Sequence, residues 1–215
     1  MKNYVWVLFV SFPFLSGAQS NGPRVSASLG VFYENEFNSN YYLSIGAASE
    51  LFAYKFIAPE IGVDYYIGGK RIEDVGFGEA GTPNYKAVLD NDFYSIVYYV
   101  APKLFYENDG LRFLLIPSYH FGRTTADGLF LDSNDVSMEQ KKRARNYFWS
   151  FSLGLEDNRN PIHYGLYLTY TGFNGDKALN KLDFTEIGFS ENDFNTGNIG
   201  LLFKVGFGFK RRQNL

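Results

Sequence analysis

The chain has 215 residues, no cysteine, an aromatic share of 19% that includes 17 Tyr and 22 Phe, and a formal charge of −3. That length suits one domain. The missing cysteines exclude disulfides and thiolate metal centres, and the small negative charge excludes nucleic acid as a partner.

The chain opens on a targeting pattern. Lys2 supplies a positive start, residues 4–15 are mostly apolar, and Ser16, Gly17 and Ala18 are small residues ahead of Gln19. This predicts a secretory signal peptide at 1–18 and a mature domain at 19–215. No later run reaches the roughly 18 apolar residues of a transmembrane helix.

From residue 25 onward, apolar residues recur at every second position, the period of a strand with one apolar face. The first strand is expected at 25–34, with Val25, Ala27, Leu29, Val31 and Tyr33 on one side. The second (41–53) and third (56–68) follow, joined by a turn at Tyr54 and Lys55. The fourth and fifth form the hairpin 92–123 around the turn Glu107, Asn108, Asp109, Gly110. Each of its arms is longer than the roughly 5–6 residues of a soluble strand and suffices for the roughly 9–11 of a tilted membrane-spanning one. Strands at 145–156, 162–173 and 198–209 complete a set of eight. Short turns at 53–56, 106–111 and 156–162 alternate with expected long loops at 69–91, 124–144 and 174–197. Pro59, Pro102 and Pro117 each remove a ladder donor, and local bulges are expected there.

The expected fold is all-β: an eight-stranded antiparallel up-and-down transmembrane β-barrel. Its serious rival is a soluble barrel with the apolar set inside. The composition of the second face argues against that. Gly, Ser, Ala and Thr dominate it, as a narrow lumen requires, whereas a solvated face would be dense in Lys, Glu and Asp. The apolar set is therefore expected to face lipid, with aromatics such as Tyr94, Tyr98, Tyr106, Trp149, Tyr164 and Tyr170 at the interfaces.

The signal pattern, the eight alternating strands and the closing Phe203, Val205, Phe207, Phe209 resemble small Gram-negative outer-membrane barrels of the OmpA/OmpX type. Stretches such as Pro59-Glu60-Ile61-Gly62-Val63 and Ala101-Pro102-Lys103-Leu104 are similar to the outer membrane protein beta-barrel domain group that includes PorT-like proteins. The resemblance spans about residues 24–209. It implies outer-membrane localisation after secretory export and passage through the outer-membrane assembly machinery. That machinery reads a terminal aromatic in many such barrels; here Phe209 is followed by the polar tail 210–215.

Three constellations could carry function. Glu50, Glu60, Lys103, Arg112, Glu156, His163 and Lys204 all fall on the expected lumen face, in the periplasmic half. Buried charges must pair, so they read as a salt-bridged plug or, through His163, as a proton-sensitive gate. Ser118 and His120 share the lumen face of the fifth strand, with Asp64 and His163 as distant neighbours, an arrangement relevant to a lipid A-modifying hydrolase. Lys141, Lys142, Arg143 and Arg145 sit at the expected external rim, as either lipopolysaccharide phosphate contacts or a solvated flank. The acidic stretch at 132–135 lacks the Gly and the final Glu of a calcium loop. No phosphate loop, dinucleotide fingerprint or zincin motif occurs, and no cofactor is expected. The functional expectation is a non-enzymatic outer-membrane barrel, structural or surface-binding through its external loops. The alternatives are an accessory of a secretion or envelope-assembly system and the hydrolase.

Overall fold

A computed structural model of the chain describes residues 22–33, 41–77, 83–132, 137–184 and 199–209. The expected signal segment 1–18, the expected loop at 35–40, most of the acidic stretch 132–135 and the tail 210–215 lie outside the described residues.

Eight strands form one closed antiparallel ring: β1 (Arg24–Tyr33), β2 (Tyr41–Glu50), β3 (Ile57–Phe77), β4 (Pro83–Asn108), β5 (Leu111–Asp132), β6 (Ser137–Asp157), β7 (Ile162–Thr171) and β8 (Ile199–Gly208). Sequential neighbours pair throughout, and β1 closes on β8 with Leu29 opposite Phe203. Where all eight strands pair, closure leaves no free ladder edge, which is what a strand protein needs within lipid.

The alternation in sequence becomes a division between two faces. Along β6, Tyr147, Trp149, Phe151, Leu153 and Leu155 are exposed, while Phe148, Ser150, Ser152 and Glu156 are buried. The same holds on β7, where Ile162, Tyr164, Leu166, Leu168 and Tyr170 point outward and His163, Tyr167, Thr169 and Thr171 inward. Large apolar side chains at 40–60% exposure around a whole ring would be untenable in water and are the normal condition in lipid. On β5 the outward apolar run spans Leu111 to Phe121. Ten strand steps at about 3.3 Å, tilted by about 40°, give a band roughly 25 Å tall, the height of an outer-membrane barrel's apolar belt. The protein is an outer-membrane β-barrel. Its short turns mark the periplasmic end.

Three expectations need correction. The described parts of the expected loops 69–91 and 124–144, namely 69–77, 83–91, 124–132 and 137–144, are strand and not loop. β3 to β6 are 21, 26, 22 and 21 residues long, against 10 for each of β1, β2, β7 and β8. Four adjacent strands therefore continue past the membrane as one projecting sheet. Its hydrogen bonding carries it where hydrophobic alternation stops: Arg71 pairs with Asp90, and Asp127 with Lys141. The prolines also behave differently. Pro59 lies opposite Pro102 with no shift of register, and the shift in that hairpin falls instead at Asp74/Val75. Between β4 and β5 the ladder is unpaired from Ala101 to Lys103 and resumes in the same register at Leu104, opposite Leu115. Pro102 and Pro117 face each other across that gap, and neither has an N–H to donate. The missing donors open the ladder without bulging it.

The segment after β7, expected as an external loop, turns inward over its described part. Phe173, Ala178, Leu179, Leu182 and Phe184 are buried against Leu89, Phe93, Ala126, Phe130 and Phe148. A single helical turn, α1 (Asp176–Leu179), lies on the inner face of β4, β5 and β6. This inner face is apolar above the membrane, so the segment both supports the projecting sheet and covers the barrel mouth.

Candidate functional site

The lumen is stacked in three layers. At the periplasmic end sits an ionic layer. Lys103 of β4 donates to Glu156 Oε1 of β6 at 2.6 Å and lies 3.2 Å from Glu50 and 3.7 Å from Glu60. Lys204 of β8 donates to Glu60 at 2.6 Å, and the Tyr99 hydroxyl donates to the same carboxylate at 2.8 Å. The Tyr167 hydroxyl donates to Glu156. Arg112 bridges Glu107 at 2.5 Å and Glu50 at 3.5 Å, with its guanidinium 4.2 Å from the Phe105 ring centre. Six strands thus contribute charges to one network of alternating sign.

The structure brings together Glu50, Glu60, Lys103, Arg112, Glu156 and Lys204. It adds Arg24, 3.6 Å from Glu50, and Glu107, both of which the strand reading placed at element ends and passed over. His163 is buried at the same end, but its Nδ1 has no hydrogen-bond partner among the described residues. Tyr99 and Tyr167 reach the ions because glycines face them. A Cβ on Gly62 would stand 2.5 Å from the Tyr99 ring, and one on Gly165 would stand 2.7 Å from Tyr167.

Above the ions lies a small cavity of about 40 Å³, lined in part by Ser44, Asp64, Ser118, His120, Ser150 and Thr169. The Ser118 hydroxyl is 2.9 Å from His120 Nε2, and His120 Nδ1 is 3.8 Å from Asp64. Asp64, read as a distant neighbour, therefore completes a serine–histidine–aspartate line; His163 does not join it. The third layer seals this line off. His120 stacks on Phe148 at 4.6 Å, and Phe173 stacks on Tyr66 at 4.4 Å while also touching Tyr42, Phe93 and Phe148. The cavity has space for a few waters and none for an acyl chain or ester.

The basic rim residues separate. Lys141 is ion-paired to Asp127 at 2.9 Å and lies 5.6 Å from the Tyr94 ring centre. The strand alternation puts Lys142 on the opposite side of the sheet from Lys141, Arg143 and Arg145. Arg145 lies directly opposite Arg123 of β5. The sequence reading missed Arg123, although it continues the outward run of Phe113, Leu115, Tyr119 and Phe121.

No known family profile matches the chain, and no curated protein matches it. Among solved structures it is similar to Ail, the attachment invasion locus protein of Yersinia pestis, with 12% identity and a TM-score of 0.36, covering 87% of this chain and 96% of that one. It is also similar to a major outer membrane protein from Thermus thermophilus, with 12% identity and a TM-score of 0.43, covering 87% of this chain and 100% of that one. A third similarity is to the N-terminal beta-barrel domain of Pseudomonas aeruginosa OprF, with 12% identity and a TM-score of 0.35, covering 88% and 100%.

Proposed function

We propose that this protein is a non-enzymatic outer-membrane anchor whose projecting sheet, formed by the upper parts of β3 to β6, is its surface-binding element. The observation that carries this reading is the unequal wall. Four strands are 11 to 16 residues longer than the other four, and the buried side chains of segment 173–184 brace them from inside. A rigid sheet held clear of the membrane suits contact with something outside the cell. The filled lumen suits an anchor rather than a pore, since eight-stranded barrels are closed by their own side chains. The Ser118–His120–Asp64 line reads as lumen packing, because the aromatic layer lies over it. Phe207 and Phe209 at the end of β8, both outward and exposed, are the residues offered to the assembly machinery.

Planar-bilayer recording tests the anchor. The folded chain is expected to give no steady conductance, and a stable porin-like step would overturn the reading. The sheet is tested by trimming it. Lys70 and Asn91 are cross-strand partners, so replacing residues 71–90 by a two-residue Asn-Gly turn should leave a barrel that still folds. That barrel is expected to lose whatever surface contact the full-length protein makes. Retention of full contact by the trimmed barrel would place the binding surface elsewhere.

A further inference from the structure

The lipid-facing run of β5 passes Phe113, Leu115, Tyr119 and Phe121 and then meets Arg123. The run of β6 passes Leu153, Phe151, Trp149 and Tyr147 and then meets Arg145. The two arginines are direct cross-strand partners and both are exposed. Like charges placed opposite one another in a ladder repel. The acid two positions beyond Thr125 on this face of β5, Asp127, is ion-paired to Lys141. Among the described residues neither guanidinium has an ion-pair partner. Beneath them lies a groove of about 510 Å³ on the outer wall, lined by both arginines and by Tyr94, Tyr98, Phe121 and Tyr147.

We propose that Arg123 and Arg145 form a two-pronged site for the phosphate group of an outer-leaflet lipid. The arginines mark the level at which the continuous apolar run of β5 and β6 ends, which is the headgroup level, and tyrosines are the aromatics suited to that level. Two adjacent guanidinium forks can each offer a pair of parallel N–H donors to phosphate oxygens. A bound dianion also removes the repulsion between them. The groove's aromatic faces receive the sugar or the upper acyl carbons of the same lipid. The site rests on the membrane placement of the apolar band and is independent of what the projecting sheet binds.

The test is native mass spectrometry of the detergent-folded chain titrated with bis-phosphorylated lipid A. The wild-type chain is expected to retain the lipid. An Arg123→Gln/Arg145→Gln chain, first shown by heat-dependent gel mobility to be folded, is expected to bind it at least about tenfold more weakly, as loss of charged hydrogen bonds requires. A Lys55→Gln/Arg71→Gln chain, with the same charge removed elsewhere, is expected to bind like the wild type. Equal retention by the double arginine variant would overturn the proposal, as would equal binding of dephosphorylated lipid A. Displacement of the lipid by millimolar inorganic phosphate would overturn it too, by reducing the site to one for free anions. A chain that conducts ions yet passes this test would fail as an anchor and keep the lipid site.

Discussion

Lys204 of β8 and Glu60 of β3 meet across the lumen, Nζ 2.6 Å from Oε1, although β1 and β2 stand between their strands in the wall. Their contact ties separate parts of the ring together. Glu60→Ala would leave Lys204 and the Tyr99 hydroxyl without their acceptor, at a cost of about 3–5 kcal/mol, the usual penalty for stripping one partner from a buried pair. Lys103→Ala should cost at least as much, because three carboxylates converge on that ammonium. Lys204→Ala should cost less, since Glu60 keeps Tyr99 and Lys103. Urea midpoints of the folded-to-unfolded gel band check this order, and equal midpoints for all three would contradict it.

Phe173 is the stopper of the aromatic layer, in contact with Tyr42, Tyr66, Phe93 and Phe148. Phe173→Ala removes a fully buried ring and should cost about 3–5 kcal/mol. It should also release α1 from the mouth. Limited proteolysis within 174–184 is expected to become faster in the variant while the barrel band stays intact. Unchanged cleavage would mean that the segment is held by its own contacts alone.

The β4–β5 turn needs two left-handed residues, Asp109 at φ 48° and Gly110 at φ 77°. An Asp-Gly pair supplies them with the twist a hairpin requires. Gly110→Val puts a branched side chain into that conformation and against Arg159 of the neighbouring turn. A loss of more than about 1 kcal/mol is expected from the backbone alone, with slower folding into detergent. A stability equal to that of the wild type would show that the turn relaxes into another type.

Asp157 and Arg159 clasp the β6–β7 turn beyond the apolar band, and the Arg159 hydrogen bonds lower the Asp157 carboxyl to about 2. A depressed carboxylate stabilises the folded turn above its ordinary pKa and loses that effect as pH falls towards the lowered value. Exchange protection of the Arg159 amide, which donates to Asp157 at 3.1 Å, should therefore hold from neutrality to about pH 4 and fall between about 4 and 2. Arg159→Ala should bring the carboxyl's titration back to the ordinary range. An unmoved titration would show that the turn backbone, rather than the guanidinium, sets it.

The membrane half of the fold was readable because lipid demands an unbroken apolar face. Tyr147, Trp149, Phe151, Leu153 and Leu155 alternate with a face on which Ser150, Ser152 and Gly154 are small, the pattern of a strand between lipid and a narrow lumen. The ionic layer was readable for a related reason: Lys103, Glu156 and Lys204 interrupt a face otherwise made of small residues. Above the membrane that logic ends. Lys70 and Arg71 on β3, and Asp90 and Asn91 on β4, look like a loop in one dimension. They are held as strand by pairing to each other, which no periodicity reports. Leu179, Leu182 and Phe184 did carry a signal, three large apolar residues in a stretch expected to be solvated. Arg24 and Glu107 were hidden by lying at strand ends, where charge is ordinary.

The alternating face of the wall meets lipid, and the other face lines a filled lumen. Because the chain contains no cysteine, single cysteines can be placed at each position from Tyr147 to Leu155 and spin-labelled in vesicles. Oxygen accessibility is expected to be high at 147, 149, 151, 153 and 155 and low at the even positions between them, with little access by a water-soluble relaxant at either set. High access by the water-soluble relaxant at the odd positions, with the even positions reached by neither reagent, would mean that the apolar face meets water and that the barrel does not span a membrane.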